Sequence, residues 1–408
     1  MLFIRVQVFI LIFAIAYLTM KLKSFLVFFV LNIAHGLFSQ TPQLTEKAQI
    51  SILTCATGNE LFSSFGHTAI RVQDAALGVD VVYNYGTFDF NKPNFYLNFA
   101  KGKLIYSLSR RRFENFLFDY ELERRWVKEQ ILSLTNGEVN QLFRFLEENY
   151  LPENRDYFYD PLFNNCSTIV GDILEKEFEG QIVFSDSHLK KKYTFREMVR
   201  QYLPLNSWGA FGIDLAFGGV TDRKATLREH MFLPYYAMYQ LENTSKAGEP
   251  LVERTRTILN YPEDSGNDQD SLLTSPLFWF MLLLAFVISI TILDYKHKGH
   301  NTWLDFVLFF ISGAAGLLIL LLWLATDHVV TGKNFNFLWL MPFNLFVAFK
   351  LLSKKEMPVW LSKYLWFALA SLVVVLIIWI FKIQVLSPLN VPLMLALAVR
   401  YLFLLKKI

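Results

Sequence analysis

Apolar positions change character once along this chain, and the change divides it in two. Between Gln40 and residue 260 they come in short groups separated by polar turns; from Pro276 to Ile408 they form runs long enough to cross a bilayer. In the front part, alternation of apolar and polar residues predicts strands over 50–55, 68–72 and 81–85. Longer periodicity predicts helices over 113–134 and 138–150, with another beginning behind Cys166. The expectation is a mixed α+β domain over residues 40–260. Residues 186–250, with Trp208 and Phe232 among Gly, Ser and Pro, read as a loop-rich extension whose exposed aromatics suit a membrane surface. An acidic polar stretch at 262–270 marks a linker over 261–275.

Residues 276–408 read as an all-α membrane domain with spans at 276–293, 303–324, 335–353, 364–381 and 386–405, the third containing Pro342. With the front domain outside, Lys296, Lys298, Lys350, Lys354, Lys355, Lys363, Arg400, Lys406 and Lys407 fall on the cytoplasmic side, against Lys333 and Lys382 outside. This asymmetry follows the positive-inside rule. At the other end, apolar runs at 2–18 and 25–37 flank Met20, Lys21 and Lys23. The second run looks like a signal peptide starting at Met20 and cleaved after Ser39, and an uncleaved membrane helix within residues 1–39 is the alternative. Both put the front domain outside the cytoplasm.

Composition agrees. The 408 residues are 53% apolar, and of 39 basic and 36 acidic residues only 15 lie beyond residue 275. A net charge of +3 is too small to imply nucleic acid. Two cysteines exclude a disulfide scaffold, and the seven histidines form no ligand cluster at helical spacing, so neither metal nor cofactor is expected.

Two segments carry candidate chemistry. Phe65-Gly66-His67-Thr68-Ala69-Ile70-Arg71-Val72, followed after a turn by Val81-Val82-Tyr83-Asn84-Tyr85-Gly86, reads as a β-hairpin with His67, Ala69 and Arg71 on one face. Asn84 returns near the level of His67, where its side-chain carbonyl can hold the imidazole in one tautomer. In Asn164-Asn165-Cys166-Ser167-Thr168, turn residues precede an apolar period and place Cys166 at a helix amino terminus. Partial positive charge there lowers a thiol pKa and stabilises an oxyanion. A half-buried structural His67, a buried structural Cys166 and a Cys55–Cys166 disulfide remain open beside these readings.

A strand-borne His, an Asn on the returning strand and a downstream Asn-Cys opening a helix together resemble the circularly permuted branch of papain-like NlpC/P60 cysteine enzymes. More narrowly, Thr54-Cys55, Gly58-Asn59-Glu60, Phe65-Gly66-His67, Tyr83-Asn84-Tyr85-Gly86, Pro152-Glu153-Asn154-Arg155, Asn165-Cys166-Ser167-Thr168 and Thr326-Asp327-His328 with Asn334 and Asn336 resemble the Lnb family of lipoprotein N-acyltransferases. Thr57 stands where that family has Pro. The resemblance implies a permuted papain-like periplasmic domain followed by about five transmembrane helices in the inner membrane. It implies that Cys166, assisted by His67 and Asn84, takes an acyl chain from a phospholipid as a thioester and passes it to the α-amino group of a diacylglyceryl-cysteine on a lipoprotein. Arg71, Arg155, His328, Asn334 and Asn336 are the candidate substrate contacts, and the loop carrying His328, Lys333 and the two Asn would meet a head group or brace the catalytic domain. The competing readings are a periplasmic cysteine hydrolase acting on cell-wall peptide or amide bonds, and a non-enzymatic, disulfide-closed binding domain.

Overall fold

The computed structural model describes residues 17–23, 42–88, 93–262, 272–352 and 358–408. Residues 17–23 are helical (α1); the rest of both amino-terminal apolar runs and nearly all of the acidic stretch lie outside the described residues.

Seven strands form an antiparallel sheet: β1 (Gln49–Cys55), β2 (His67–Asp74), β3 (Val79–Thr87), β4 (Ile105–Arg112), β5 (Val127–Leu132), β6 (Asp156–Phe158) and β10 (Val252–Leu259), in the order β10-β5-β1-β2-β3-β4-β6. The β2–β3 turn closes as its composition demands, with the Asp74 carboxylate accepting from Ala76 N–H at 3.0 Å and Gly78 supplying φ +65. In register, Cys55 lies opposite His67 and Ile70 opposite Tyr83. The central strands are buried on both faces. Helix α3 (Phe113–Leu122) packs Phe116 onto Leu53, Ala69 and Val82 on the face that carries His67. The other face meets α4 (Asn136–Tyr150), α5 (Thr168–Glu177) and α8 (Pro234–Glu242), through Tyr85–Asn149, Thr68–Ser167 and Gln130–Met238 hydrogen bonds.

Two expectations need correction. The helix predicted over 113–134 stops after Leu122; Arg124 takes φ +55, and the remainder becomes β5, between β1 and β10. The local period does not foresee this, because the strand state is set by pairing with distant chain and by Glu129 meeting Ser51, Arg71 and Arg256. Residues 186–250 are not loop-rich: they carry α6 (Phe195–Val199), α7 (Trp208–Ala216) and α8, besides β8 (Thr244–Lys246) and β9 (Glu249–Pro250), which join β7 (Ile182–Phe184) in a small second sheet. Residues that looked like loop formers are caps: Thr194 forms a capping box with Glu197, Ser207 accepts from Ala210 N–H, and Pro234 opens α8.

Beyond the linker, α9 (Pro276–Lys296), α10 (Thr302–Leu324) and α13 (Val359–Ile380) are the three described helices long and apolar enough to cross a membrane. The third expected span is broken into α11 (Phe337–Leu340) and α12 (Asn344–Leu351) at Met341, φ +44, and Pro342, which lacks the N–H that a continuing helix needs. Asn344, at the break, donates to Ser312 Oγ at 2.9 Å and the Tyr401 hydroxyl at 2.8 Å, and accepts from the Tyr364 hydroxyl at 2.6 Å. It thereby ties α12 to α10, α13 and α14 (Asn390–Lys407). Gly313 lets these backbones touch, since a Cβ there would lie 2.1 Å from Leu345 N. Arg400, expected among the cytoplasmic-side charges, is fully buried between Asp305 (2.6 Å) and Asp294 (3.0 Å), joining α14 to α10 and α9.

Connections between the carboxyl-terminal helices also hold the amino-terminal domain. Asn334 donates to the Leu215 and Ala216 carbonyls at 2.9 Å each, Asn336 to Leu215 at 3.1 Å, and Gln384 to Phe217 at 3.0 Å, so the orphan carbonyls at the end of α7 are satisfied from across the junction. Val385 N–H donates to Asp222, itself paired with the buried Arg196. Gly218 sits where a Cβ would overlap the Gly332 carbonyl.

Replacing Arg400 with Leu strands two buried carboxylates in an apolar bundle. It should cost about 3–5 kcal/mol and lower the thermal unfolding midpoint in detergent; an unchanged midpoint would show that the cluster does not join these helices.

Candidate active site

The site begins with backbone geometry. Before β2 the chain turns at Gly66, φ +77, where a Cβ would lie 2.7 Å from the Cys55 carbonyl, so only glycine delivers His67 to the strand start. The half-buried imidazole meets Asn84 of β3, with 2.6 Å between Nε2 and Oδ1. With Asn84 Oδ1 accepting from Nε2–H, Nδ1 is left as the acceptor for a thiol proton.

Cys166 comes from a turn that Asn165 holds closed. The buried Asn165 Oδ1 accepts from Ser167 N–H (2.8 Å) and Thr168 N–H (3.0 Å), while its amide donates to the Pro161 and Phe232 carbonyls. Ser167 anchors the turn to the sheet through Thr68 Oγ1 at 2.8 Å. The Cys166 side chain, half-buried just before α5, meets Ser167 Oγ at 3.9 Å and lies near enough to His67 for the two groups to shift each other's ionisation. Gly86, φ +97, passes beside it with room for a substituent. Burial pushes the thiol up, but the adjacent His67 charge, the His67 hydrogen bond, the Thr68 backbone N–H and the Ser167 hydroxyl outweigh it, so the Cys166 pKa falls below the ordinary thiol value. Burial works in the opposite sense on His67 and is likewise outweighed, by Cys166 and Asn84, so the imidazole pKa rises. Both directions favour a thiolate–imidazolium pair, the ground state of an activated cysteine nucleophile.

Residues 43–201 match the Lnb N-terminal periplasmic domain, and residues 267–408 match the Lnb transmembrane domain. The chain belongs to the Lnb family. No curated protein and no solved structure matches it. As a Lnb-family protein it combines a periplasmic α+β domain with a membrane domain, which places it in the inner membrane.

The remaining candidates fall in different places. Cys55 and Cys166 are both free thiols, so the disulfide alternative is not the state of this structure; Cys55 is buried under α3, and burial pushes its thiol up to about 12. Arg71 is not open to a phosphate: 4% exposed, it is held by Asp80 (2.7 Å) and Glu129 (3.0 Å) and lies over the Phe113 ring. It shares the face of His67, as alternation predicted, but α3 covers that face. Arg155 is exposed on a groove bordered by Tyr157 and by Asn164 and Ile169, which flank Cys166 in sequence. His328 donates to the Phe99 carbonyl at 2.9 Å, and Asn334 and Asn336 are consumed by α7, so these three brace the soluble domain and do not face a ligand. Sequence reasoning missed Thr68 and Ser167, whose hydroxyl contact crosses 99 residues and leaves no local pattern. Among the described residues, no three His, Cys, Asp or Glu side chains could hold a metal ion.

A lowered thiol pKa means that Cys166 is thiolate at a pH where ordinary cysteines are protonated. Alkylation by iodoacetamide should therefore titrate below the usual thiol range. His67→Ala should move that titration upward and slow the reaction at neutral pH, roughly tenfold for every pH unit the midpoint rises. Asn84→Ala should move it less, and Cys55 should stay unmodified until the protein unfolds. An unchanged pH profile in His67→Ala would separate the two side chains.

Proposed function

We propose that this protein is a lipoprotein N-acyltransferase that works through a Cys166 thioester. The observation that carries the reading is the Cys166–His67–Asn84 relay, built at the end of a periplasmic domain that is clamped to membrane helices. A soluble hydrolase has no use for that clamp, whereas two lipid substrates require the site to stay at the membrane surface.

His67 accepts the thiol proton, and the thiolate adds to an ester carbonyl of a phospholipid. Collapse of the tetrahedral adduct breaks the ester C–O bond, His67 returns the proton to the departing lysophospholipid oxygen, and the acyl group remains as a thioester. The α-amino group of a diacylglyceryl-cysteine then attacks the thioester. An amide forms, the C–S bond breaks, and the amine proton passes through His67 as the thiolate is restored. The relay resembles that of permuted papain-like enzymes, with Asn84 holding the ring. Residues 40–260 form the catalytic domain in this reading, joined by the linker 261–275 to a membrane domain over 276–408. Five crossings, counting the broken 337–351 stretch and α14, leave the carboxyl terminus in the cytoplasm, in keeping with the Lys/Arg asymmetry. Arg155 is the cation placed to meet a phosphate.

Incubated with phospholipid and no acceptor, the protein should gain one fatty-acyl mass on the Cys166 peptide, removable by neutral hydroxylamine. A diacylated lipopeptide should then collect the chain as an amide. If the adduct decays to free fatty acid equally fast with and without the lipopeptide, the enzyme is a hydrolase; if intact, reduced Cys166 never acquires an adduct, the reading is wrong.

A further inference from the structure

A series of aromatic rings leads from the membrane domain to Tyr159, near the Cys166 turn, and nothing in the relay uses it. At one end, helix α2 (Phe95–Ala100) rests on the loop that follows α10: Asp327 N–H donates to the Lys101 carbonyl at 2.9 Å, His328 to the Phe99 carbonyl at 2.9 Å, and the Phe99 and His328 rings meet edge to face. From there the rings run Phe99 to Phe95 (6.3 Å), Phe95 to Phe88 (6.4 Å), Phe88 to Tyr106 (5.2 Å) and Tyr106 to Tyr159 (4.3 Å, stacked). Tyr159 ends the series, seven residues before Cys166 and within its electrostatic reach. Asp160 and Asn164 pair through both backbone groups at 3.1 Å and close the loop between the tyrosine and the cysteine, and burial together with the Cys166 charge pushes the Tyr159 phenol up.

The outer half of this series is not core. Helix α2 has no buried residue, Phe99 is 50% exposed, and a groove of about 210 Å³ opens along Phe95, Phe99, Leu104 and Ile105. Exposed apolar surface of this kind is costly in water and marks contact with another apolar body. Its position points to lipid: the helix is seated on the connection that follows α10, one of the helices long and apolar enough to cross a membrane.

Resting on the acyl-transfer reading, we infer that the series is the acyl-chain binding track: the donor phospholipid lays the chain to be transferred along Phe99, Phe95, Phe88 and Tyr106, which brings its ester carbonyl to Cys166 beside Tyr159. Rings stacked end to end give a chain a flat apolar surface without hydrogen-bonding demands, and each methylene buried on it raises affinity about fourfold. The track binds chain and leaves the chemistry to the relay.

The test uses the full-length protein in detergent with short-chain phosphatidylcholines that lengthen by one methylene per chain, reading the rate of acyl-adduct formation on Cys166. In the wild type the second-order rate should climb several-fold per methylene, and Phe95→Ser and Phe99→Ser should flatten that dependence while iodoacetamide still alkylates Cys166 at the wild-type rate. A chain-length dependence as steep in both variants as in the wild type would overturn the track. Should the variants fold poorly, a phosphatidylcholine carrying a diazirine in its chain, photolysed with the unmutated protein, should label residues 93–106 and the Tyr159 peptide. Label confined to the membrane helices would overturn the proposal. Absence of any adduct in the wild type would instead remove the transfer reaction, and the photolabel, which needs no reaction, would still decide the track.

Discussion

The Asn84 side chain orients the His67 imidazole beside Cys166, and that brings three separate backbone segments together. β2 delivers the ring, β3 the amide and the turn before α5 the thiol. Each delivery rests on a residue that touches no substrate. Gly66 makes the approach to β2 possible, Asn165 closes the cysteine turn, and the Thr68–Ser167 contact ties that turn to the strand carrying the histidine. The electrostatics depend on the geometry: a thiol in a largely buried setting ionises readily only beside a cation, and the cation here is the ring that Asn84 orients.

The same preference for satisfied polar groups joins the two parts of the protein. The carbonyls at the end of α7 receive their hydrogen bonds from Asn334, Asn336 and Gln384, and Asp222 links Arg196 in the soluble domain to the backbone at Val385. Such contacts are directional, and they fix an orientation more firmly than apolar packing alone. Under the proposed function, such contacts would keep Cys166 at one height above the bilayer.

The legible parts of the sequence were those that local chemistry controls. Alternation around His67, the Asp74–Gly78 turn and the returning Asn84 could be placed because a hairpin fixes register within a few residues. The apolar runs of α9, α10 and α13 were visible because lipid imposes length and composition together. What failed depended on distant partners. β5 read as helix because its strand state comes from β1 and β10 on either side, and Arg71 read as a phosphate contact because the distant Glu129 and Phe113, which with Asp80 enclose it, leave no local pattern. Asn334 and Asn336 showed polarity in a short connector, as a ligand site or a brace would; only the position of Leu215 decides for the brace.

The proposed transfer of a fatty acid from Cys166 to lipoprotein amino termini would leave its mark on the product. Lipoproteins from cells carrying the wild-type protein or Cys166→Ser as their sole source of this activity can be digested and their amino-terminal lipopeptides weighed. N-acylated peptides are expected with the wild type, and with Cys166→Ser peptides lighter by one fatty-acyl group and carrying a free α-amine. Identical N-acylation in both strains, with the variant present in the membrane, would contradict it.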